Sequence, residues 1–316
     1  MADWFSASQP PSALLNSQRI WRIVGTATIA LSLWASPSLA KDPFRTTSPH
    51  AIGDKTEAAF RSIFEQGNYK NAASALSQAE SGEPLAFALK ASLAYSNWQG
   101  ESDQSKKQAA SDSFKGYATQ TRESAEQLLK TDPLRGNLYL AVGNFLEGAY
   151  VVSTQGVIRG MPQALGKLQQ AFKYLDEAEK IDAKDPELNL LKGYIDLLLA
   201  VNVSLPLSSP TQAIERLEKY ASPRYLAYRG LALGYRDLNQ PDKALQAIDQ
   251  AIAAAPKNPE LAYLKAQILV RQGNNKEGIA LFEKALSQKD QLPSGIVTQI
   301  QKELARTQRR MQNMGR

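Results

Sequence analysis

Two stretches near the C-terminal end of the chain repeat one another at a fixed interval. YLAYRGLALGYRDLNQPDKALQAIDQAIAAAPKN starts at Tyr225, and PELAYLKAQILVRQGNNKEGIALFEKALSQKD starts at Pro259, 34 positions later. A unit of that length is a helix-turn-helix that cannot hide its apolar side alone, so such units have to stack. In the first copy Leu231, Ala232 and Tyr235 share one face of a first helix, Ala244, Ile248 and Ala251 share a face of a second, and Pro256 ends it. The second copy places Lys265, Ala266 and Leu269 at the same offsets, then Gly273 at the turn, then Gly278, Phe282 and Ala285. Small residues let two helices approach closely, and Tyr235, Ile248 and Phe282 fill the holes left between them.

The same pattern extends upstream. From Gly67, Ala72, Leu76, Ala79 and Pro84 fall at offsets 5, 9, 12 and 17, and from Gly273, Gly278, Phe282 and Ala285 fall at 5, 9 and 12. Asp185, Pro186, Glu187, Leu188, Leu191 and Lys192 match Asn258, Pro259, Glu260, Leu261, Leu264 and Lys265 at a distance of 73 positions. Asp185 and Asn258, each followed by proline, read as helix N-caps.

This period, the alternation of small and large residues and the closing proline resemble the tetratricopeptide repeat family. The resemblance implies an all-α fold, a right-handed α-solenoid of helix hairpins. The expected array covers residues 53–292, with units near 53–86, 87–133, 134–185, 186–222, 225–258 and 259–292. A charged and apolar helix over 293–316, with Ile296, Ile300 and Leu304 as its stripe, is expected to cap an open array and end in a basic tail. In that family, ligands lie on the concave face, lined by the first helix of each hairpin. Carried onto this chain, those positions are Leu190, Tyr194, Leu197, Leu198, Arg229, Leu233, Arg236, Tyr263, Gln267 and Arg271. The leucines also read as core, and the arginines as a solvated face. The carboxylate clamp of chaperone-tail binders is missing, because Arg229, Leu233, Glu260 and Leu264 stand in its place.

Residues 1–40 stand apart. Arg19 and Arg22 precede a 13-residue apolar run over 23–35, followed by Pro37, Ser38, Leu39 and Ala40. A charged region, a short apolar core and a small-x-small ending make a signal peptide, with cleavage expected between Ala40 and Lys41. The run is shorter than the roughly 20 residues that span a bilayer, so no stable membrane span is expected once the leader is removed. Residues 41–52, with Pro43, Pro49 and a lone His50, read as a flexible, solvated linker. The polar stretch over 100–113 reads as a swollen turn, and the connector over 201–210 as an insertion.

Cysteine is absent and histidine occurs once among 316 residues, which leaves no thiol chemistry and no imidazole metal site. Without the leader, 35 basic residues stand against 30 acidic ones, too even a balance for a nucleic-acid surface. Asp176, Glu177 and Glu179 read as the polar face of a helix, and Gly160, Gly166 and Lys167 lack the strand that a phosphate loop requires. No catalytic residue, metal or cofactor is therefore expected. The reading that results is an exported, non-catalytic scaffold that holds a protein or peptide segment of an envelope protein. It would work in the periplasm, or in the lumen of internal photosynthetic membranes if the host has them. The alternative is a small-molecule binder with a closed apolar pocket lined by Tyr139, Tyr150, Tyr194 and Leu198.

Overall fold

The computed structural model describes residues 42–202 and 209–314, with the backbone alone for residues 201, 202 and 314. The expected leader, its cleavage site at Ala40 and Lys41, and most of the 201–210 connector lie outside the described residues. Among those described there are twelve α-helices and no strand. They are α1 (Asp54–Phe60, extended by a wide turn over Arg61–Glu65), α2 (Tyr69–Leu76), α3 (Pro84–Gly100), α4 (Gln104–Leu128), α5 (Pro133–Ile181) and α6 (Pro186–Asn202). The series continues with α7 (Pro210–Lys219), α8 (Arg224–Asp237), α9 (Pro241–Ala254), α10 (Pro259–Arg271), α11 (Asn275–Leu286) and α12 (Ser294–Met314).

Helix α5 is two antiparallel arms, because Gly156 (φ 74°, ψ 170°) interrupts it in a backbone conformation open almost only to glycine. The arms meet closely where Gly148 faces Ala164 and Lys167, and where Gly160 faces Val151 and Val152. Successive helices thus pair as hairpins, α1 with α2, α3 with α4, the two arms of α5, α6 with α7, α8 with α9 and α10 with α11, in the order the 34-residue period implies.

One local device starts most of the first helices: a polar cap followed by proline. Glu83, Asp132, Asp185 and Asn258 each accept a main-chain N–H of their own helix, from Leu85, Arg135, Leu188 and Glu260 respectively. Proline at the next position has no N–H to leave unsatisfied. Asp185 and Asn258 are therefore caps, as the sequence indicates. Ser209 opens α7 in the same way, accepting from Gln212.

Three expectations are corrected. The polar stretch over 100–113 is mostly helix: Asp103 caps Lys106 N, and α4 runs from Gln104 with Ser111, Phe114, Ala118, Thr121 and Ala125 buried along one side. Residues 42–52 are not a free linker, since Asp42, Phe44, Arg45 and Ile52 are buried. His50, expected to be solvated, has its ring Nδ1 against the Asp132 carboxylate.

The array is also not open. Tyr69 on α2 donates to Glu260 on α10 (2.5 Å), and Asn258 donates to Phe64 O (2.8 Å), so the first hairpin seats on the last. Helix α12 packs its Ile300 into the cluster of Tyr263, Ala266, Phe282 and Ala285, as a cap should. Its first turn then meets α3, where Gly295 faces Gly100 and Ser96. The hairpins form a closed ring, and the segment 42–52 fills part of its interior.

Candidate functional site on the inner face

Packing between neighbouring first helices decides what most of the ten inner-face residues do. Leu190, Tyr194, Leu197, Leu198, Leu233 and Tyr263 are all buried, so the core reading holds for the leucines. Tyr194 packs against Gly230 and donates to Leu226 O (2.7 Å), while Leu197 packs against Gly234.

Arg229 and Arg236 are neither solvated nor open to a partner, whereas Arg271 is exposed. Arg229 is 8% exposed and pairs with Glu260 (2.8 Å). Arg236, 7% exposed, holds Asp237 (2.7 Å) and Gln267 (2.7 Å). Arg271 reaches the main-chain oxygen of Arg236 and also Asp237 (3.3 Å). Gln267 and Tyr263 both donate to Glu303 of α12. The expected basic groove is instead a ladder of polar contacts joining α8, α10 and α12. Of the ten expected groove residues eight are buried, Gln267 is half-buried and Arg271 is exposed, so the expected open concave groove is corrected: neighbouring first helices cover most of it.

The tyrosines of the expected apolar pocket are also engaged. Tyr139 and Tyr194 are buried with their hydroxyls bonded, and Tyr150 packs on Phe114 at 5.9 Å between ring centroids. An open cleft of about 630 Å³ lies elsewhere, lined by Glu218, Tyr228, Leu231, Tyr235, Lys243 and Gln250 among others.

The most concentrated polar site lies where residues 42–52 meet the start of α6. Arg45 Nε donates to Asp185 (2.6 Å), and both terminal nitrogens donate to Glu187 Oε2 (3.1 Å each). The second Glu187 oxygen accepts from Tyr139 OH (2.6 Å). Phe44 packs edge-on against Phe60, with 6.4 Å between centroids. Beside it Arg135 pairs with Glu83 (2.7 Å), donates to Ala51 O (3.4 Å) and lies over the Tyr139 ring.

Asp185 and Glu187 correspond to Asn258 and Glu260 in the self-match, and the correspondence is chemical. Glu260 also takes one arginine, Arg229, and one tyrosine hydroxyl, Tyr69. Each cap also bonds outward, Asp185 to Arg45 and Asn258 to Phe64 O. The repeated Asp/Asn-Pro-Glu is therefore a socket at the start of a first helix. The sequence reading identified its cap and its period but not its acid; the signal was the glutamate two positions beyond the cap, repeated in both copies. The lysine of the same self-match behaves alike: Lys192 reaches back to Asp176 and Glu179, and Lys265 to Asp249. Of the three carboxylates read as a solvated face, Glu179 instead joins Lys192 and Arg216 (2.7 Å), while Glu177 is on the surface with Lys180.

Burial pushes the Glu187 carboxyl up to about 7, against the opposing pull of Arg45 and Arg135 and with the help of Asp42 and Asp185. In the unfolded chain the group titrates near 4.5. Between those values the folded protein holds the extra proton, so this group's contribution to stability is present at low pH and lost as pH rises through 7. Wild-type stability, relative to Glu187→Gln, should fall by about 3 kcal/mol between pH 4 and pH 8. Urea unfolding of both proteins across that range checks it, and a pH-independent difference would refute the assignment. Burial likewise raises Asp196 to about 6, despite Lys192 and Arg216 nearby.

Among the described residues no group of three or more His, Asp or Glu is placed to hold a metal ion, and no helix is long and apolar enough to cross a membrane. Residues 229–294 match the family model for the tetratricopeptide repeat. No curated protein and no solved structure matches the chain. The matched region holds the two clearest repeats, so residues 229–294 are tetratricopeptide repeats, and the helix hairpins continue an all-α solenoid on its N-terminal side.

Proposed function

We propose that this protein is an exported, non-catalytic scaffold that holds a peptide segment of an envelope protein, in the periplasm or an equivalent lumen. The observation that carries the reading is that the array already holds one irregular segment. Residues 42–52 run without helix or strand across its inner side and are anchored there by an aromatic and a cation. The tetratricopeptide architecture supports a protein partner. The charged, apolar and small-residue parts of the first 40 residues support export.

Arg229→Glu with Arg236→Glu would set like charges against Glu260 and Asp237, so that pair probes stability rather than binding. The direct test is cross-linking in intact bacterial cells, followed by mass spectrometry of the tagged protein from separated compartments. The expected result is a mature N-terminus at Lys41 in the envelope fraction, with cross-links to one or a few envelope proteins. An intact residue 1 in a cytoplasmic pool would overturn export, and a protein that cross-links to nothing above background would overturn the scaffold.

A further inference from the structure

We propose that the socket of Asp185 and Glu187 is the partner site itself, that its ligand is a non-helical segment presenting an aromatic residue followed by arginine, and that residues 42–52 occupy it as a built-in competitor. The inference rests on the scaffold reading and names the partner's chemistry.

The segment is organised like a ligand rather than like a part of the array. The main-chain N–H groups of Phe44, Arg45 and His50 all donate to one carboxylate, Asp42, which also holds the Arg45 guanidinium. The segment is thus folded upon itself. It meets the array chiefly through side chains, with Phe44 on Phe60, Arg45 on Asp185 and Glu187, and His50 on Asp132, plus one main-chain contact from Arg135 to Ala51 O. Lifted away, it would leave the Asp185 and Glu187 carboxyls without Arg45 and the Asp132 carboxylate without His50, while Arg135 is already engaged by Glu83. A buried surface with that imbalance needs an incoming cation. Arginine suits it, because its planar fork meets two carboxylates at once, as Arg45 does. Glu187 is already oriented by Tyr139 OH, and Asp185 by its own helix, so the acceptors are in place before a ligand arrives.

The competition makes affinity depend on release. A partner binds only in the fraction of molecules whose own segment is out, and weakening that segment raises the apparent affinity. The test uses the full chain and a fluorescent peptide, DPFRTTSPHAI, copied from residues 42–52. Full-length Arg45→Glu, whose segment is repelled by Asp185 and Glu187, should bind the peptide saturably and at least about ten-fold more tightly than wild type does. The same peptide carrying Arg45→Glu should not bind. Asp42→Ala, which unties the segment without reversing a charge, should bind the unmodified peptide to an intermediate degree.

Absence of binding by both variants, with helical circular dichroism and a cooperative thermal transition retained, overturns the proposal. Loss of that transition in both overturns it too, because the segment would then be part of the folding core. A wild-type dimer that Arg45→Glu converts to monomer would assign the site to a second copy of this chain, and also overturns the partner reading. None of these results touches cross-links made by the outer faces, so the broader scaffold role stands or falls separately.

Discussion

Arg135→Ala should lower the free energy of unfolding by about 3–5 kcal/mol, the cost of breaking a buried ion pair from one side. Arg135 is 1% exposed, and it is the cation that Glu83, Tyr139 and Ala51 O all face. Burial works against its charge, but Glu83, Tyr139 and Glu187 more than reverse that, so it stays protonated. Its removal leaves Glu83 without the cation while that carboxylate is still needed to cap Leu85 N, and it opens a cavity beside Tyr139. Arg135→Met with Glu83→Gln removes both charges, keeps most of the volume and should recover more than half of the loss. Urea midpoints at unchanged slope are the measurement. A single-mutant loss below about 1 kcal/mol, the range of exposed pairs, would mean that the site is hydrated.

The second large effect concerns ring closure. Gly67 has φ +64°, and a Cβ there would lie 2.5 Å from Pro259 Cδ and 2.6 Å from Asn258 Oδ1. A Cβ on Gly100 would lie 2.3 Å from Ser294 Oγ and 2.5 Å from Gly295 N, and main chain cannot swing aside as a side-chain tip can. Gly67→Val with Gly100→Val therefore places a branched residue at both seams of the ring, one of them in a left-handed conformation that it resists. The array should spring open while each hairpin stays helical. Small-angle scattering would register this as a radius of gyration well above the roughly 19 Å of a compact chain of this length. An unchanged scattering curve from a folded double mutant would show that the seams do not hold the closure.

Much of the fold was legible because it is local. Period, turn glycines and polar caps before proline act within one hairpin, and a single chain displays them. The start of α4, over 104–113, was read as a turn because only Ser111 of that stretch is buried and it carries no large apolar residue. Residues 42–52 were missed because no periodicity marks a segment buried through the scattered side chains Asp42, Phe44, Arg45 and Ile52. Closure was not legible at all: it is the sum of small rotations between successive hairpins, and no pair of residues encodes it. Arg229 and Arg236 were misplaced for a nearer reason: Glu260, Asp237 and Gln267, on the same or the next first helix, take them up. The socket glutamates were in view throughout as part of the self-match, and only their neighbours, distant in sequence, show them to be acceptors for arginine.

An open solenoid can gain or lose a unit by duplication or deletion and merely become longer or shorter. This one cannot. Its units must add up to a turn that returns the first hairpin to Asn258 and Pro259 and brings α12 back to Gly100, so copy number is fixed by geometry. Growth is left to the arms of individual helices, as in the 49-residue span of α5, which lengthens one unit without altering the circumference.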